Sequence, residues 1–145
     1  MNFTDVLTND QMRILRAGID ARVRIGALLL DTYYGQWGLF WFDFVNYAML
    51  DMHEHCLLTQ LFGTYNAGLA ALNLAHGRDH GFIAHLGDLL ALAPICNCHR
   101  ITPGELRGMY YCLLTERWKV RIAESFYHRT EILTASDIVR IPIRK

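Results

Sequence analysis

From Met12 to Tyr33 the apolar residues return at steps of three or four: Met12, Leu15, Ile19, Val23, Gly26, Leu30, Tyr33. That spacing keeps side chains on one face of an α-helix and is incompatible with a strand, whose faces alternate every second residue. Arg13, Arg16, Asp20 and Arg24 fall on another face, with Asp20 placed to pair with an arginine four residues away on either side. Asn9 or Asp10 supplies the expected cap, and Gly35 and Gly38 interrupt the pattern.

The same period recurs downstream. Leu39 to Leu50, rich in aromatics, reads as a short buried helix. Asp51 and Glu54 have capping-box spacing and would open another helix. In it Leu57, Leu61, Tyr65, Leu69, Leu72 and Ala75 repeat as far as Gly77, with Thr59, Asn66 and Asn73 drawing a polar line seven residues apart. A shorter helix is expected from about His80 to Leu92, stopping before Pro94, with residues 93–101 as a loop. Thr102-Pro103-Gly104-Glu105 is a capping box with proline at the first helical position, and a long helix follows to about Arg129. At the end Val139, Ile141 and Ile143 alternate with Arg140, Pro142 and Arg144, a strand-like period of two over residues 136–145. The expected fold is one domain, residues 1–145. It is an all-α compact bundle of four or five helices with a short C-terminal strand or extended tail.

Apolar residues make up 52% of the 145, against a usual share of about 45–50% with glycine included. The surplus is more than one small core needs, and large apolar patches are rare on monomers. Self-association, as a homodimer or larger homo-oligomer, and a protein partner are therefore expected. The most apolar stretch, Trp37 to Leu50, is too short for a bilayer and contains Asp43 and Asn46, so no membrane span is expected. Without a basic, apolar and small-residue leader the expected location is cytoplasmic. The four cysteines do not force disulfides.

Formal charge sums to zero but is unevenly spread. Between residues 25 and 99 Arg78 is the sole basic residue, whereas nine basic and five acidic residues lie from residue 100 onward. The plainer reading is that the basic last third packs against the acidic middle. The alternative is a nucleic-acid-binding regulator using Arg100, Arg107, Arg117, Lys119, Arg121 and Arg129 with their interleaved aromatics. The interspersed Glu105, Glu116 and Glu124 make a solvated mixed-charge face the better reading.

Nine of the eleven histidines and cysteines lie between residues 53 and 99. Imidazole and thiolate suit zinc, which takes four such ligands tetrahedrally. His53 and Cys56 would share a helical face, but the candidate metal set is His76, His80, Cys96, Cys98 and His99. Its spacing departs from known metal motifs: Cys96 and Cys98 are separated by one residue rather than two. His76 to His80 has aspartate and two glycines where an inverted zinc-protease motif has glutamate on an unbroken helix. Zinc is accordingly the alternative, and no cofactor is the expectation. The chain has no Gly-x-Ser-x-Gly elbow and no glycine-rich loop beside a lysine. The function expected is a non-enzymatic helical interaction or regulatory module.

Overall fold

A computed structural model describes the backbone of residues 2–143 and the side chains as far as residue 129. Among the described residues there are five α-helices and no strand: α1 (Asn9–Gly35), α2 (Leu57–Phe62), α3 (Tyr65–Ala71), α4 (Leu86–Cys98) and α5 (Pro103–Ile143). Short 3₁₀ turns lie at Phe3–Asp5, Trp41–Phe44, Tyr47–Met49 and Arg78–His80. The all-α expectation holds, and the strand expectation does not. Residues 136–143 continue α5, and 144–145 lie outside the described residues. An isolated strand leaves its backbone groups unpaired, whereas a helix pairs them within itself.

Helix α1 turns Met12, Leu15, Ile19, Val23, Ala27 and Leu30 inward, as its spacing requires. Its cap is Thr8 rather than Asn9 or Asp10. Thr8 Oγ1 accepts from the Gln11 amide at 3.1 Å, and Gln11 Oε1 accepts from the Thr8 amide at 2.8 Å. Asp20 does not pair along its own helix. It binds Arg117 of α5 through two hydrogen bonds, at 2.7 and 3.0 Å. The fork of guanidinium donors matches a carboxylate across two helices better than along one.

The aromatic stretch 39–50 is not a buried helix but two 3₁₀ turns, of which only Trp41, Phe42 and Leu50 are buried. Bulky aromatics lose rotamer freedom against a preceding helical turn, so a short run of them gains little from helix. The helix expected from Asp51 begins instead at Leu57, because Asp51 and His55 pair with each other in an isolated bridge. Cys56 Sγ takes the capping role, accepting from the Thr59 amide at 3.4 Å. Gly63, with φ +90°, then ends α2, and Thr64 caps α3. The single stripe from Leu57 to Ala75 is therefore two short helices folded on one another.

Helix α4 runs through Pro94 to Cys98, where a loop is expected from residue 93. Proline removes the hydrogen bond to the carbonyl four residues earlier. Here that carbonyl belongs to Leu90, and the helix continues past it to Cys98. Helix α5 starts as expected, with Thr102 Oγ1 accepting from the Glu105 amide at 3.1 Å. It buries Leu106, Tyr110, Leu113, Leu114, Trp118 and Ile122.

The core forms where α1 and α5 meet the 78–82 turn. The Trp118 ring stacks on Phe82 and meets Trp41 edge-on, at centroid distances of 5.7 and 5.8 Å. Trp118 Nε1 donates to the Gly81 carbonyl at 2.6 Å. Gly26 makes this approach possible: a Cβ there would stand 2.1 Å from the His80 carbonyl oxygen. Among the described residues, basic end meets acidic middle where Arg129 binds Asp43 at 2.5 Å.

Candidate functional site

The five candidate metal ligands are not gathered. Cys96 is buried in the core beneath α4, Cys98 is exposed at the end of that helix, and His99 is its C-terminal cap. His76 precedes the 3₁₀ turn that His80 ends, and their ring centroids are 6.4 Å apart. Among the described residues no group of three or more His, Cys, Asp or Glu is arranged to hold a metal ion. The local reason is geometric. On α4 the one-residue spacing of Cys96 and Cys98 turns the two thiols to different sides, since successive helical residues rotate about 100°. His53 and Cys56 likewise share no helix, for residues 51–56 form the bridge and the cap of α2. The ring of His53 stacks on Tyr111 at 4.9 Å.

The polar group that the fold does assemble is Arg22, Asp88 and Tyr110, one from each of α1, α4 and α5. Arg22 forms an ion pair with Asp88, the two side chains being 16% and 22% exposed. The Tyr110 hydroxyl donates to Asp88 Oδ2 at 2.7 Å and accepts from Arg22 Nη2 at 3.2 Å. Burial, then the bond to Asp88, pushes the Tyr110 phenol well above its ordinary range. It remains protonated and serves as a donor rather than a base. His85 completes the group as the cap of α4: its Nδ1 accepts from the Asp88 amide at 3.3 Å. Its Nε2 lies 3.5 Å from Asp79 Oδ1. Each member has its partner within the group. The arrangement offers no nucleophile, and what it does is pin the first turn of α4 to α1 and α5.

What this anchor holds in place is unusual. Asp88 is the only charged residue between Leu86 and Cys98, and it faces inward. Leu92 and Cys96 are buried, while the outward side is Leu86, Gly87, Leu90, Ala91 and Pro94, with Asn97 and Cys98 exposed at the C-terminal end. Leu86 is 53% and Leu90 65% exposed. A helix apolar all round belongs in an interior, yet this one lies on the surface. Beside it, against α1, runs a groove of about 210 Å³ lined by Leu7, Leu15, Leu92 and Ile95, with Gln11 and Asp88 also contributing to it. Ile14, 64% exposed, stands at its rim.

The basic residues of α5 are largely committed within the chain. Arg117 holds Asp20, Arg129 holds Asp43, and the Lys119 ammonium lies 5.1 Å above the Tyr47 ring. Among the described residues no helix is long and apolar enough to cross a membrane.

No protein-family model, no characterised protein and no solved structure matches the chain. The class that fold and site define is thus an all-α protein presenting one uncharged helical face, anchored by a buried polar triad.

Proposed function

We propose that the protein is a helical interaction module whose docking surface is the outward side of α4 with the adjoining α1 groove, and that its occupant is a second copy of the same chain. One observation carries the proposal: α4 exposes leucine, alanine and proline where a solvated helix carries charge. Covering such a face removes apolar area from water at about 25 cal/mol per Å².

The face supports self-association because it complements itself. Ile14 is a knob beside a hole lined by Leu7, Leu15, Leu92 and Ile95. A two-fold axis through the patch sets each knob into the other copy's hole, the arrangement an isologous interface needs. The one charge on α4, Asp88, is paired with Arg22, so no unpaired like charges of α4 are opposed when two copies meet. An amphipathic membrane-surface helix would carry lysine or arginine along its polar side, and α4 has neither.

Sedimentation equilibrium tests this. The wild-type chain is expected to shift from monomer to dimer with rising concentration. Leu90→Glu and Ile14→Glu are each expected to leave it monomeric with unchanged helical circular dichroism. A wild-type chain that is monomeric throughout, or a dimer indifferent to both substitutions, would sink the proposal.

A further inference from the structure

Helix caps are ordinarily hydroxyl, carboxamide or carboxylate side chains, which accept a hydrogen bond throughout the neutral range. Helices α1, α2, α3 and α5 follow that habit or use a thiol, with Thr8, Cys56, Thr64 and Thr102 as their caps. Among the described residues α4 alone is capped by an imidazole, the Nδ1 of His85 accepting from the Asp88 amide at 3.3 Å. An imidazole nitrogen accepts only while it carries no proton. Histidine is also the side chain whose charge ordinarily changes between about pH 5 and pH 8.

The groups facing the ring decide what an added proton does there. Nε2 lies 3.5 Å from Asp79 Oδ1 in the 78–80 turn, and Nδ1 lies 3.6 Å from Asp88 Oδ1 on α4. Asp79 also faces His76 at 3.9 Å and is 64% exposed, so water screens its pull. Asp88 is already held by Arg22 of α1 and by the Tyr110 hydroxyl of α5. That hydroxyl also accepts from the His85 amide at 3.4 Å. Protonation turns Nδ1 from acceptor into donor, opposite the donating Asp88 amide. It puts a positive charge at the positive end of the helix. It also sets a second cation beside Arg22, in competition for one carboxylate. Only the screened Asp79 welcomes the charge without taking from the triad.

We infer that His85 is a proton-sensitive cap, which holds the first turn of α4 when neutral and releases it when protonated. The turn is secure above the histidine range and loosens as pH falls through it. The consequence for self-association rests on the α4 surface proposed above, since Leu86 lies in that turn and Leu90 one turn further on.

Amide hydrogen exchange on the dilute, monomeric chain tests the cap, each rate being referred to that of an unstructured amide at the same pH. Between about pH 7.5 and pH 5.5 the Asp88 amide is expected to lose about fivefold in protection, the size of one lost cap, with the change centred on residues 86–89. His85→Asn supplies a carboxamide cap that does not titrate, and should be equally protected at both pH values. His85→Ala should be poorly protected at both, with helical circular dichroism kept in each variant. Equal protection of the wild-type Asp88 amide at the two pH values, or an equal fall in His85→Asn, overturns the inference. Sedimentation of the concentrated chain then reads the surface: the wild-type dimer should weaken in acid and the His85→Asn dimer should not. A dimer that weakens equally in both overturns the link to self-association. A chain monomeric at every pH sinks the docking surface instead, while the exchange measurement still decides the cap.

Discussion

Helices α1 and α4 solve opposite problems. In α1 the inward stripe from Met12 to Leu30 is covered, with Arg13 and Arg24 left in water and Ile14, Ile25 and Leu28 exposed beside them. In α4 apolar side chains point in every direction, and the protein covers only two of them fully. Helix α1 is held by burial along its own length. Helix α4 gains little from burial, and its place is set by a cap, an ion pair and a phenol at its first turn. The difference teaches that a surface helix without amphipathicity needs a polar anchor to choose which side it shows.

The comparison can be broken hardest on the α1 side. Trp118→Ala removes the side chain that joins Trp41, Phe82 and the Gly81 carbonyl, and should cost about 3–5 kcal/mol in urea unfolding. Gly26→Ala drives a methyl against the His80 carbonyl and should cost about 1–3 kcal/mol or more by the same measurement. Both should lower the stability of the whole chain rather than loosen α4 alone.

The anchor of α4 is tested next. Asp88→Asn leaves the Arg22 guanidinium, largely withdrawn from water, without its counter-charge. A loss of about 1–3 kcal/mol is expected, with faster hydrogen exchange concentrated in residues 86–98. Tyr110→Phe should cost about 1 kcal/mol near neutrality. It should also change the response to alkali. The folded-state Tyr110 phenol titrates above its unfolded value of 10.0, so the folded chain binds more protons above that pH and stability must fall there. Tyr34 and Tyr65 are raised as well, by burial first. Urea midpoints between about pH 9 and pH 11 should therefore decline in the wild type and decline less in Tyr110→Phe.

Smallest of all in stability is Leu90→Glu. An exposed substitution away from any such contact moves folding by about 0.5 kcal/mol or less. If it abolishes dimerisation while leaving unfolding unchanged, the outward side of α4 is a surface and not a misplaced core. A comparable cost to Gly26→Ala would instead make it part of the fold.

The helices legible in the sequence are those whose signals are local and concordant. For α1 the stripe alone suffices, and for α5 the Thr102–Glu105 box marks the start to the residue. Elsewhere one signal overrode another. The Leu57–Ala75 stripe is continuous, but Gly63 in a conformation open to glycine and Thr64 as a second cap divide it. Pro94 reads as a stop, yet α4 continues through it to Cys98. The alternating end of the chain imitates a strand, but its backbone as far as residue 143 continues α5. Of the polar triad nothing is visible locally, since Arg22 and Asp88 are 66 residues apart and Tyr110 lies 22 further on. The one clue was a solitary aspartate in an otherwise uncharged helix. Crowding of histidine and cysteine over residues 53–99 was a compositional signal, and composition carries no direction for a side chain to face.

Helical class, the inward side of α1 and the start of α5 follow from the order of residues, because hydrogen bonds and apolar stripes within a helix involve neighbours three or four apart. Which residues become partners across helices followed only from the packing. Asp20 turned to Arg117, Arg22 to Asp88, and α4 was left with its leucines outward. Contacts between distant segments depend on where each helix lies, and that is decided by the burial of the whole core at once.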